Sequence, residues 1–155
     1  MRTDDVTTEV RAGMQFDVAR LEAWLRTQIA GFAGPLSGRQ FRGGQSNPAY
    51  LLASPARRYV LRHKPPGQPL ASGPAVDRES RVLTALRAHS AVPVARTWAL
   101  CTDDAVIGSW FYVMDHVDGR GFWDGTLPDL PREARRDYYD AALAALASLH
   151  RVDPV

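Results

Sequence analysis

The stretch that most limits how this chain can fold is Phe41 to Arg62, FRGGQSNPAYLLASPARRYVLR. Two apolar runs flank the pentapeptide Gly43, Gly44, Gln45, Ser46 and Asn47. A second break, Pro55-Ala56-Arg57, precedes a third run. The pattern predicts strand, glycine turn, strand, tight turn, strand. Two adjacent glycines allow backbone conformations that a Cβ would block, and they let a ligand come close to the main chain. Successive N–H groups in such a turn can form an anion-binding concavity. A plain hairpin turn is the competing reading of the same five residues. In the third strand, Arg58 to His63, alternation puts Val60 and Arg62 on one face and Tyr59 and Leu61 on the other.

Residues 1–15 read as a loose tail. Asp17 is a candidate N-cap for a helix whose apolar stripe is Val18, Leu21, Leu25 and Ile29, with Gly31 as its stop. The first strand of the hairpin set runs from about Leu36 to Arg42 and the second from about Ala49 to Ser54. Lys64-Pro65-Pro66-Gly67 cannot extend the third strand. A helix is predicted from about Ala75 to His89, with Val76, Val82, Leu83 and Leu86 as its stripe. Glu79 falls inside that stripe. A carboxylate there is costly unless paired, and Arg62 is the nearest candidate partner. A solvated position at the stripe edge is the alternative. Two strands follow, Thr97 to Cys101 and Trp110 to Met114. The second is continuously apolar, as a strand covered on both faces should be. After a polar connector and an irregular stretch, Arg132 to His150 is an amphipathic helix whose face is Tyr138, Ala142, Leu146 and Leu149.

Composition narrows the class. The chain has 155 residues, 45% of them hydrophobic, enough for one domain with a real core. Its net charge of +2 gives no argument for a nucleic-acid partner. No apolar run approaches the roughly 18–20 residues that cross a membrane, and the polar start MRTDDVTTEV lacks the apolar core of a secretory signal. The lone Cys101 excludes an internal disulfide. These features together lead us to expect a cytoplasmic protein. The four histidines share no metal-ligand spacing.

The order helix, three strands, helix, two strands, connector, helix is the plan of the small lobe of a protein-kinase-like fold. The segments GGQSNPAYLL (43–52), YVLRHKPPG (59–67), VDRESRVLTAL (76–86), VPVARTWALC (92–101), FYVMDHVDGR (111–120) and LASLH (146–150) stand in that order. In them the chain resembles the aminoglycoside phosphotransferase and kinase-like phosphotransferase family. The resemblance extends to the kinase-like domain found ahead of some acyl-CoA dehydrogenases. It covers nearly everything after Asp17.

The resemblance implies an α+β fold: a five-stranded antiparallel small lobe with an inserted helix (1–114), a hinge (115–119), and the start of a helical large lobe (120–155). It implies ATP and magnesium. Gly43, Gly44, Gln45, Ser46 and Asn47 correspond to the loop over the phosphates. Arg62 takes the position of the strand-three lysine and Glu79 that of its helix partner. Val60 would pack on the base, and Met114 would sit at the gatekeeper position. Asp115 and Val117 would offer a backbone carbonyl and N–H to the adenine edge. The loop departs from the protein-kinase G-x-G-x-x-G, and the strand-three cation is Arg rather than Lys, which grips phosphate or carboxylate differently. The family's catalytic loop and its magnesium-holding aspartate lie beyond a helix like 132–150, and neither motif occurs here. The expectation is therefore the nucleotide-binding half of an enzyme that phosphorylates a hydroxyl of a small molecule, inactive alone, with self-association as one way to cover helix 132–150. The alternatives are a non-catalytic nucleotide-binding or regulatory module and an inactive truncated product.

Overall fold

The computed structural model describes residues 6–43, 48–64, 76–122 and 124–153. Its first pairing element is β1, Thr7–Thr8, followed by helix α1, Val18–Gln28. Then come β2 (Ser37–Phe41), β3 (Ala49–Ala53), β4 (Arg58–His63), α2 (Val76–His89) and β5 (Thr97–Cys101). A short helix α3 (Asp104–Ile107), β6 (Phe111–Asp115) and α4 (Arg132–His150) complete the chain.

Six strands make one antiparallel sheet in the order β1-β2-β3-β4-β6-β5. Five of these are the strands the sequence predicts. The sixth, β1, comes from the segment read as a loose tail. Thr7 and Thr8 pair with Phe41 and Gln40, and Thr7 is buried. The Arg11 amide donates to the Gln40 side chain at 3.0 Å, and its guanidinium to the Arg42 carbonyl at 3.0 Å. These bonds fix a polar stretch that carries no apolar pattern of its own.

Alternation divides the sheet into two faces. Tyr50, Leu52, Tyr59, Leu61, Phe111 and Val113 point to one side, where Leu21 and Leu25 of α1 and Ile29 at its C-cap cover them. The α1 stripe has the i, i+4, i+8 spacing of one helix face. Asp17 caps the helix by accepting from the Arg20 amide at 3.0 Å. Glu22 receives Arg26 at 2.6 Å and the Leu36 amide at 2.7 Å, which pins the chain where it turns into β2. Together these donors hold the Glu22 carboxyl below its ordinary range.

On the opposite face α2 packs against β5 and β6. Its buried residues are Val76 and Ser80. Val82, expected in the stripe, is 52% exposed. At 100° per residue it lies about 120° around the helix from Val76, whereas Ser80 and Leu83 lie close to it and Glu79 falls on the same flank. The predicted helix is right and its inward face is rotated. Between β5 and β6 the chain forms α3, capped by Asp103 and closed by Gly108 at φ 84°.

A buried polar network lies where β4 ends. The Tyr50 hydroxyl lies 3.0 Å from the Met14 carbonyl and 3.0 Å from His63 Nε2, and the Lys64 carbonyl meets His63 Nδ1. Ser109 Oγ reaches Nδ1 at 3.1 Å. Burial pushes the Tyr50 phenol up to about 12 and holds His63 below its ordinary 6.5. Burial and the Arg58 guanidinium lower His116 as well. Both imidazoles are therefore protonated more easily in the unfolded chain. Their contribution to stability is complete above pH ~6.5 and is lost as pH falls from there through the folded values. The urea midpoint is expected to drop between pH 7.5 and 5.5, and to drop less in a His63→Gln variant. An unchanged slope in that variant would contradict the assignment.

Candidate functional site

The face of the sheet turned away from α1 carries the residues singled out in the sequence. Val60 and Arg62 project from it two residues apart. Their cross-strand partners on β6 are Met114 and Tyr112, and on β3 Leu51 and Ala49. Residues opposite one another in an antiparallel pair share a face. One short strip of sheet therefore presents an apolar step, Val60 with Met114, beside a polar one, Arg62 with Tyr112.

Helix α2 closes over the polar step. Arg62 Nη2 stands 3.2 Å from Glu79 Oε1, with the two side chains 28% and 34% exposed. The pair expected from a carboxylate inside an apolar stripe is formed. Its remaining polar atoms are less well served. Arg62 Nε, Glu79 Oε2 and the Tyr112 hydroxyl are each shut away from solvent, and none meets a hydrogen-bond partner among the described residues. Burial, and next the Glu79 carboxylate, push the Tyr112 phenol well above its ordinary range.

The apolar step opens on a cavity of about 420 Å³. Val60, Met114, Asp115 and Val117 line it, as do Phe41 and Ala95. The Asp115 side chain is engaged elsewhere. It accepts from Trp98 Nε1 at 2.7 Å and lies 3.5 Å from Arg57. The Arg96 and Arg57 guanidinium groups in turn lie over the Trp98 ring, 3.7 and 4.7 Å from its centre. What Asp115 leaves for the cavity is main chain. The Val117 amide donates to no hydrogen bond among the described residues. Just beyond, Arg58 Nη2 grips both Asp118 oxygens at 2.7 Å, which ties the connector back to β4.

Of the residues singled out in the sequence, Val60, Met114, Asp115 and Val117 come together at the cavity, and Arg62 and Glu79 at the ion pair. Gly43 follows β2 and is exposed. Gly44, Gln45, Ser46 and Asn47 lie outside the described residues. Sequence reasoning missed Tyr112, Phe41 and Ala95. Alternation in β6, counted back two from Met114, could have found Tyr112. Nothing local marks Ala95, which precedes β5. Among the described residues no cluster of three His, Cys, Asp or Glu side chains is placed to hold a metal ion, and no helix is long and apolar enough to cross a membrane.

A profile of the phosphotransferase enzyme family matches residues 37–155. That span includes the whole site, and the chain belongs to this family. A solved Ralstonia eutropha structure, described as a candidate aminoglycoside phosphotransferase, is 46% identical and superposes with a TM-score of 0.74 over 90% of this chain and 39% of its own. The fold is accordingly kinase-like. Among curated relatives, the "probable acyl-CoA dehydrogenase IBR3" of Arabidopsis thaliana is 44% identical over 97% of this chain. The human acyl-CoA dehydrogenase family member 11 is 40% identical over 94% of it. This chain spans only 19% of the length of each.

Proposed function

We propose that this chain forms the nucleotide-binding half of an ATP-dependent phosphotransferase that acts on a hydroxyl of a small molecule. The observation that carries the reading is the Arg62–Glu79 pair set on the same sheet face as an apolar cavity. The cavity would take the adenine between Val60 and Met114, with the Asp115 carbonyl and the Val117 amide at the edge of the base. Arg62, two residues further along the face, would reach the phosphates. Its guanidinium offers a planar fork suited to phosphate oxygens, and Glu79 would orient it. The glycine-rich turn from Gly43 to Asn47 would cover the phosphates with backbone N–H groups. Magnesium would neutralise charge between the phosphates. No described residue set here fits it, so its ligands and the residues that orient the acceptor would belong to a longer protein. On this reading the 155-residue chain binds nucleotide but transfers no phosphoryl group.

Titration calorimetry with MgATP tests the proposal. Wild type is expected to bind, and Arg62→Ala to bind about ten- to a hundredfold more weakly, the size of a hydrogen bond to a charged group. Val60→Asp, which sets a carboxylate against the base, is expected to abolish binding. Equal affinity in wild type and Arg62→Ala would remove Arg62 from the site.

A further inference from the structure

The ion pair does not by itself satisfy the polar atoms buried around it. Arg62 uses Nη2, and Glu79 uses Oε1. Glu79 Oε2 is left as a buried acceptor without a donor, Arg62 Nε as a buried donor without an acceptor, and the Tyr112 hydroxyl as a buried group with no partner of either kind. Tyr112 is fully buried and stands directly across the β4–β6 ladder from Arg62. Its strand neighbour Arg62 is the partner of Glu79, and the carboxylate's charge adds to burial in raising the phenol. A hydroxyl and a carboxylate oxygen, each buried and without a partner, thus both stand beside Arg62. Leaving such groups unmade costs more than most formed bonds contribute.

We propose that Tyr112 is a positioning residue for the Arg62–Glu79 pair: its hydroxyl donates to Glu79 Oε2 and so holds α2 onto the sheet with Oε1 facing Arg62. The partner that fixes the other oxygen of Glu79 is the strand neighbour of Tyr112 itself. Fixing both carboxylate oxygens removes the rotation by which Glu79 would otherwise leave Arg62. The sheet then presents the guanidinium in one orientation. Phenylalanine at the same place would fill the same volume and supply no proton, so the role is chemical rather than one of packing. The inference deepens the nucleotide reading of the cleft and rests on it for one readout.

The test is a double-variant cycle on the full 155-residue chain, with Tyr112→Phe, Glu79→Ala and the pair together. Amide exchange across Asp77 to Leu83, measured without nucleotide, is expected to rise about tenfold in Tyr112→Phe, as for one hydrogen bond to a charged group. The double variant should exchange no faster than Glu79→Ala, because Tyr112 acts through Glu79. In a chain carrying ¹³Cζ-tyrosine, the Tyr112 resonance, assigned by its absence in Tyr112→Phe, should shift in Glu79→Ala. Wild-type exchange in Tyr112→Phe, fully additive effects, or an unmoved resonance would each overturn the proposal. With MgATP, Tyr112→Phe is expected to weaken binding severalfold. If wild type binds no MgATP, the nucleotide reading falls while the exchange cycle still decides the role of Tyr112.

Discussion

Leu61→Ala is expected to lower the free energy of unfolding by about 2–5 kcal/mol, the usual range for a buried leucine truncated where its surroundings cannot close. Leu61 has no exposed surface. It sits mid-strand in β4, with Tyr50 opposite on β3 and Val113 opposite on β6. These three belong to the same buried cluster as Leu21 and Leu25 of α1. A cavity there is walled by two hydrogen-bonded ladders and a helix, none of which can move inward without breaking register. A domain of this size holds only about 5–15 kcal/mol, so the variant should be near its threshold at physiological temperature. Val82→Ala is the control. Val82 is 52% exposed on α2, and its loss should stay within about 0.5 kcal/mol. Urea unfolding of both variants gives the comparison. Similar midpoints would mean that the sheet and α1 do not share a core.

The hairpin set was legible because its signals are local. Alternation in Arg58 to His63 put Leu61 and Arg62 on opposite faces of the strand, and Leu61 is buried in the core while Arg62 meets α2. Glu79 was legible for an energetic reason: a carboxylate inside an apolar stripe demands a cation. Three features were not legible, each for a different cause. Thr7 and Thr8 have no pattern of their own; the exposed edge of β2 recruits them. The inward face of α2 was misjudged because Ser80, a small polar residue, takes a buried place while Val82 does not. Hydropathy ranks those two the wrong way round, and contact with β5 and β6 decides their order. Ala95 and Phe41 meet across the cavity through the crossed strand order β4-β6-β5. A pocket assembled from segments more than fifty residues apart leaves no mark in any one window of sequence. The glycine turn shows the reverse: conspicuous in sequence at Gly43 and Gly44, its role rests on the nucleotide titration.

Helix α4 is expected either to fray from its C-terminal end or to bury its apolar face by self-association in the isolated chain. No residue of α4 is buried. Tyr138 is 43% exposed, Leu146 47% and Leu149 42%, all on the predicted face, and Leu143 is 61% exposed beside them. Uncovered apolar area forfeits about 25 cal/mol per Å², so a face of this size leaves several kcal/mol unrealised. The two ends of the helix are not equally held. Near the start, the Arg135 guanidinium donates to the Leu130 carbonyl at 2.8 Å, the Tyr139 hydroxyl to the Gly125 carbonyl, and Phe122 meets Tyr138 edge to face at 4.9 Å. From Leu143 onward the side chains have no such ties among the described residues. The stretch from Leu143 to His150 is only about two turns, and a helix segment that short is marginal in water on its own hydrogen bonds. Amide exchange should therefore be slow near Arg135 and fast near Leu149 in a dilute monomer, and slow throughout once sedimentation shows a dimer. Strong protection of Leu146 and Leu149 in a strict monomer would mean that this chain covers the face itself, and the exposed stripe would lose its claim as a surface made for a partner.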